Sequence, residues 1–233
     1  PGLHILSARE WLPVIPPTAQ VFRAFDWGSA KPFSCGWYAI SDGTWGLPKG
    51  ALVRFAEWYG AMGPNQGLKM TADQVARGIL QREKGFHVRV GYGVADPSIF
   101  IRDGGPSIGE TMAIVGVTWR RADNKRKVGA DCVRQRLVGH DGKPMLYFLD
   151  SCDDAIRTIP TLQHDETDPE DVDTDAEDHA YDEVRYACMS RPWLKPAAGP
   201  APRLLPKLPH EMTIDELIAL RTSRRKAIEN RTN

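Results

Sequence analysis

Asp26 ends a β-branched and aromatic run, Val21-Phe-Arg-Ala-Phe-Asp26-Trp-Gly28. A carboxylate at the end of a strand bound for the interior is costly unless something pairs with it. Hard divalent cations are common partners for clustered carboxylates, because they prefer oxygen ligands. Two further aspartates answer to Asp26. Asp96 stops the run Val88–Ala95 immediately before Pro97, and Asp182 lies in Asp178-His179-Ala-Tyr-Asp182-Glu183 near the start of a helical stretch. Asp178 and Asp182 stand four apart and project from one helix face, with His179 on the same turn. Each carboxylate alone has an ordinary explanation. Asp96 could cap a turn before Pro97, and Asp178 and Glu183 would favour a helix N-terminus through its dipole. Three acids on the first strand, at the end of the fourth strand and on the last core helix make a far more specific pattern, and Asp26, Asp96 and Asp182 are the residues expected to share a cation.

The elements that must position them are legible from hydrophobic period and turn residues. Val21–Trp27, Phe33–Ser41 and Ala51–Tyr59 read as three strands, with Asp42-Gly43 as a turn signal, and predict an antiparallel meander. Thr71–Glu83 reads as a helix with Val75, Ile79 and Leu80 on one stripe, a cap at Thr71 and a stop at Gly85. The following strand, Val88–Ala95, should lie parallel to a strand of the same sheet after this crossover. Asp96 then falls at a strand's carboxyl end, where open α/β sheets place their sites. Residues 102–109 read as a Gly/Pro loop. A helix follows over about 123–138, then a short buried strand at 145–149 and a helical turn over 151–159 capped by Ser151. The acidic stretch 165–177 is too charged to bury and is expected to be a mobile loop. The helix 176–190 carries Ala180, Val184, Ala187 and Cys188 on one face and is expected to be wet on the other. Residues 1–20 read as a proline-broken linker from a missing upstream domain, 21–192 as the folded domain, and 193–233 as a Pro-rich linker followed by a basic amphipathic helix. The chain begins at Pro1 without Met, which points to a piece of something longer.

The 233 residues carry a formal net charge of zero, but the charge is segregated. Residues 120–136 and 221–231 are basic, and 164–178 are acidic, so a neutral sum does not argue against a polyanionic partner. An acidic pocket cannot hold a polyanion unaided, and Arg120, Arg121, Lys125, Arg126 and Lys127 are the candidates for phosphate contacts. A solvated helix face explains the same run more blandly. Trp119 beside it is better explained by core packing than by base stacking. No base-reading element is visible, which predicts little sequence preference. The four cysteines include no C-x-x-C pair and no His at zinc-ligand spacing, and read as reduced thiols. There is no signal peptide and no apolar run of membrane-spanning length, so a cytoplasmic location is the default.

The order of meander, helix, strand, helix, strand and helix resembles the RNase H-like fold, a mixed β-sheet in which an antiparallel three-strand meander continues into parallel strands, flanked by helices. In detail the chain resembles the nuclease domain of a tailed-bacteriophage terminase large subunit, the DNA-packaging motor protein. The matching pieces are Phe25-Asp26-Trp27-Gly28, Gly93-Val-Ala-Asp96-Pro97-Ser98, Ala122-Asp-Asn124 with Gly129, Val133-Arg134 and Leu137, Leu149-Asp-Ser-Cys152, and Asp178-His-Ala-Tyr-Asp182-Glu-Val-Arg185-Tyr186-Ala187. The last is the most specific. The resemblance implies a two-metal endonuclease acting on double-stranded, concatemeric DNA. Two Mg²⁺ or Mn²⁺ ions would sit about 3.5–4 Å apart. Asp26 would bridge them, Asp96 and Asp182 would complete one site each, and Asp178 or His179 would assist. It further implies as partners the terminase ATPase domain, the portal protein and the small terminase subunit, with no membrane, in the host cytoplasm and transiently on the procapsid. The phosphate-binding loop of that ATPase is missing, since no G-x-x-x-x-G-K-[ST] occurs. Two alternatives stay open, a resolvase- or transposase-type relative of the same fold, and a largely non-catalytic portal-docking module.

Overall fold

The apolar alternation of the first three runs has one physical outlet, pairing into a sheet that is covered on both faces. In the computed structural model, which describes residues 2–163 and 176–191, these runs become β2 (Gln20–Asp26), β3 (Ser34–Ile40) and β4 (Leu52–Tyr59). They follow β1 (Ile5–Leu6) and the single-turn helix α1 (Ala8–Trp11). A small hairpin, β5 (Ala61–Gly63) and β6 (Gln66–Gly67), leads to helix α2 (Ala72–Glu83) and strand β7 (Val90–Ala95). Helix α3 (Ile108–Val115), strand β8 (Arg120–Arg121), helix α4 (Arg126–Val138), strand β9 (Leu146–Leu149), helix α5 (Asp153–Thr158) and helix α6 (His179–Ser190) complete the order. The main sheet runs β1-β9-β4-β3-β2-β7-β8. The β2-β3-β4 meander is antiparallel, and β7 joins β2 in parallel, as the crossover through α2 requires.

The two faces of β2 follow its period of two. Val21 and Phe25 join a core with Trp37, Phe55, Ile79 of α2 and Met112 of α3. Phe22 and Ala24 face the other way, into a core with Tyr38, Val94, Val133 of α4 and Ala180, Val184 and Ala187 of α6. By the same alternation Asp26 falls on the α6 side.

Several expectations need correction. Residues 2–15, within the stretch 1–20 read as a linker, pack into the fold. Ile5 and Leu6 pair in parallel with Phe148 and Leu149, and Ile15 is buried, because the apolar edge of β9 would otherwise be left unpaired. Helix α3 falls partly within the stretch read as loop. Its Ser107 and Glu110 form a reciprocal capping box, with Glu110 N donating to Ser107 Oγ (3.2 Å) and Ser107 N donating to Glu110 Oε2 (2.8 Å). Helix α5 is capped by Glu57 rather than Ser151, since Asp154 N (2.7 Å) and Ala155 N (3.2 Å) donate to its carboxylate. Helix α6 has no wet face along its middle. Glu183, Val184, Arg185, Tyr186, Ala187 and Cys188 are all buried, because α4 lies over the side turned away from the sheet. The approach is close at Gly129, where a Cβ would stand 2.4 Å from Arg185 Cγ. Trp119 packs inward against Phe25, with ring centroids 5.0 Å apart. The acidic stretch up to residue 175 and the proposed linker and basic helix of 193–233 lie outside the described residues. Among the described residues, no helix is long and apolar enough to cross a membrane.

Candidate active site

The parallel pairing of β2 with β7 puts Phe25 opposite Ala95, and Asp96 N donates to Phe25 O at 3.0 Å. Asp26 and Asp96 therefore leave neighbouring strands side by side at their carboxyl ends, about one strand spacing (~4.8 Å) apart at the backbone. Helix α6 packs across β2, β3 and β7 and brings its first two turns to the same place. His179 Nδ1 lies 3.1 Å from Asp26 Oδ2, and the Tyr186 hydroxyl donates to Asp96 Oδ2 at 3.1 Å. Asp96 also caps the turn that follows, its Oδ1 accepting from Ser98 N at 2.6 Å. The bland reading of Asp96 and the chemical one thus hold together, one oxygen for each. Asp182 Oδ1 accepts from Arg185 Nε (3.2 Å) on the next turn of α6. Its other oxygen faces Arg126 of α4 at 3.4 Å, and the same guanidinium reaches Asp178 Oδ2 at 3.7 Å.

A second layer fixes α6 from beneath. Glu183, fully buried, accepts from Arg54 Nη2 of β4 at 2.6 Å, and Arg54 also pairs with Glu57. Gly36 makes room for this pair, since a Cβ there would stand 2.6 Å from Arg54 Nε and from both Glu183 carboxylate oxygens. The buried ion pair locks the register of α6 against the meander, so that Asp182, one residue earlier, is set by the same contact.

The electrostatics follow from burial and crowding. Asp26 is pushed up to about 7, first by loss of water around it, with further repulsion from Asp182 and Asp96 and with opposition from the hydrogen bond to His179. Asp178 rises to about 6, through burial and then the charge of Asp182. Burial pulls the His179 imidazole down, but its hydrogen bond to Asp26 and the charge of that group outweigh it, so it ends above its ordinary value. Tyr186 is driven well above the usual phenol range by burial and by Asp26, Asp182 and Asp96 together.

Among the described residues, no three His, Cys, Asp or Glu side chains stand close enough to one another to hold a metal ion. The donor chemistry nevertheless suits a hard divalent cation, with four aspartates around the site and a buried His179 Nε2 that has no hydrogen-bond partner among the described residues. Each carboxylate is already engaged: Arg126 and Arg185 occupy the oxygens of Asp182, His179 meets Asp26, and Tyr186 meets Asp96.

Of the residues expected to act, Asp26, Asp96, Asp178, His179 and Asp182 come together. The basic run divides. Arg126 turns into the acidic site, whereas Arg120 and Arg121 form the edge strand β8 beside Val94 and Ala95. Lys125 and Lys127 are exposed at the start of α4, and Lys125 pairs with Asp123 at 3.6 Å. Tyr186 is not among the site residues expected from sequence, although its place four residues after Asp182 puts both on one helix face.

No family model and no curated protein matches the sequence. Solved structures do match. The chain superposes on the large terminase of a thermophilic bacteriophage with a TM-score of 0.59 at 17% identity, covering 81% of this chain and 42% of that one. The same phage protein in complex with ADP gives a TM-score of 0.57 at 17% identity, covering 79% and 41%. The nuclease domain of the P22 large terminase gives a TM-score of 0.60 at 14% identity, covering 82% of this chain and 88% of that domain. The chain spans less than half the length of the thermophilic phage protein and nearly the whole P22 domain. It has the RNase H-like fold of large-terminase nuclease domains.

Proposed function

We propose that this chain is the nuclease domain of a phage DNA-packaging terminase and hydrolyses phosphodiester bonds of double-stranded concatemeric DNA. The observation that supports the reading is the placement of Asp26 and Asp96 side by side at the carboxyl ends of two parallel strands, with α6 bringing His179 to Asp26 and Tyr186 to Asp96, and carrying Asp178 and Asp182 in the same turns. Asp26, Asp96 and Asp182, with Asp178 and His179 as auxiliaries, would hold two Mg²⁺ or Mn²⁺ ions, which supply an acidified water as nucleophile and charge for the leaving 3′ oxygen. The chain's own residues prepare that site. Tyr186 and Ser98 N orient Asp96. Arg185 orients Asp182, and His179 shares a proton with Asp26. Arg126 neutralises Asp178 and Asp182 and must turn aside from them for a cation to bind there. Replacing an arginine by a divalent cation on the same carboxylates is a modest electrostatic exchange, since the guanidinium already offsets their mutual repulsion. The ATPase domain, the portal protein and the small terminase subunit would be its partners, on the procapsid in the host cytoplasm.

One observation favours a second reading, a docking module with little catalysis. The acids are bridged by arginine, and no three ligands among the described residues close on a point. A single assay separates the two. Supercoiled plasmid is incubated with the protein in EDTA, Mg²⁺ or Mn²⁺, alongside Asp26→Ala, Asp96→Ala and Asp182→Ala. The nuclease reading expects nicking with metal, none in EDTA and none in the three variants. Variants that cut as well as the parent, or a parent that cuts under no condition, would refute it.

A further inference from the structure

A second constellation lies on the same sheet face, displaced from the carboxylates along β7. Tyr92 is stacked on Phe22, with ring centroids 5.1 Å apart and planes 7° apart, so its ring is fixed. Two guanidinium groups rest against that ring, Arg120 at 4.7 Å and Arg191 at 5.1 Å from its centroid. Arg191 Nε also donates to the Tyr92 hydroxyl at 2.7 Å. The backbone beneath Arg191 is held from inside, where the buried Arg136 donates to its carbonyl. Next along β8, Arg121 lies over the Phe100 ring at 5.0 Å. Tyr92, Arg120, Arg121 and Arg191 border a cleft of about 350 Å³ at the end of α6.

Among the described residues, Arg120, Arg121 and Arg191 form no ion pair with any carboxylate. The one acid on the cleft wall, Asp123, is engaged by Lys125. Arg120, exposed at the sheet edge, and Arg191, half-buried, share one aromatic ring, so their like charges lie close and an anion entering between them would gain from both. A forked guanidinium matches the oxygens of a phosphate, and two on a rigid platform can grip one from two directions. Tyr92 precedes Asp96 by four residues of extended strand, ~13 Å. That is roughly the axial span of four nucleotides along one strand of B-form DNA.

We propose that the cleft formed by Tyr92, Arg120 and Arg191 seats one backbone phosphate of the DNA duplex about four nucleotides from the bond that is cut. The distance to the cut rests on the nuclease reading above. The seat fixes the strand relative to Asp96 without reading sequence, and it sets register in the way phosphate contacts do.

The test is the salt dependence of binding to a short fluorescein-labelled duplex, measured by anisotropy in EDTA so that no cutting occurs. The double variant Arg120→Ala, Arg191→Ala should bind several-fold more weakly, and its slope of log affinity against log salt should fall by about one. Arg120→Lys, Arg191→Lys should recover most of the slope. Arg77→Ala, on exposed α2 across the sheet, should leave it unchanged. An unchanged slope in a double variant that melts like the parent overturns the seat, while plasmid nicking by the parent would still uphold the nuclease. A parent that neither binds nor cuts duplex overturns both. If a poly-glutamate peptide displaces duplex from the parent but not from the alanine variant, the cleft belongs to an acidic protein partner and the phosphate seat is wrong.

Discussion

Asp26→Asn should stabilise the fold at and above neutral pH, although on the proposed function it removes a residue on which cutting would depend. Asp26 is buried, and its carboxyl is raised from 3.8 to about 7. The folded state therefore keeps a proton that the unfolded chain gives up from about pH 4 upward. Where the folded state binds more protons, stability falls as pH rises. His179, also raised, acts in the same direction, because its contribution is present below its unfolded value near 6.5 and is lost as pH climbs through its folded one. Lifting the carboxyl from 3.8 to about 7, at ~1.36 kcal/mol for each tenfold change in proton affinity, sets a ceiling of ~4 kcal/mol on the cost of ionising Asp26 in place. Asparagine has the same shape, keeps a hydrogen bond to His179 and never ionises. The variant should match the parent near pH 4 and exceed it by ~2–4 kcal/mol at pH 8. Urea unfolding followed by fluorescence of the seven tryptophans, in EDTA, at intervals from pH 4.5 to 8, measures the difference directly. A difference that stays flat across this range, or a parent that is the more stable at pH 8, would refute the claim that a buried carboxylate is held there at the expense of stability.

Glu183→Ala should cost on the order of 3 kcal/mol, because it strips the buried Arg54 of one of its two carboxylate partners and leaves Glu57 to offset the charge from one side, and urea unfolding would show it. Gly129→Ala should cost ~1–3 kcal/mol, since the new methyl meets Arg185 Cγ at 2.4 Å and Met189 Sδ at 2.8 Å. Nicking should fall with it, because Arg185 orients Asp182, and the same preparations assayed on plasmid would reveal the coupling. Millimolar Mn²⁺ should raise the melting midpoint of the parent, by the equivalent of ~2.7 kcal/mol at a hundredfold excess over its dissociation constant. The rise should be smaller in Asp26→Asn and larger in Arg126→Ala, where the cation no longer displaces a guanidinium. Equal shifts in all three would place the ion elsewhere.

The meander, α2, β7 and the positions of Asp26, Asp96 and Asp182 at element ends were legible in the sequence because each is a local matter. A period of two or 3.6, a turn dipeptide or a proline after a strand is written within a dozen residues. The signal for α3 was also there, in Ser107 and Glu110, but glycines and prolines around it masked a short helix. What the sequence could not determine is which element covers which face. Ile5 and Leu6 became an edge strand only because β9, more than a hundred residues later, offered an unpaired edge. The outer side of α6 is dry because Gly129 lets α4 approach it. Arg126, indistinguishable from its basic neighbours in the chain, turned inward because Asp178 and Asp182 lay within reach, while Arg120 was carried to the sheet edge beside Tyr92. Residue type and spacing set the chemistry available to this chain; contacts between segments far apart in sequence decided which charges meet.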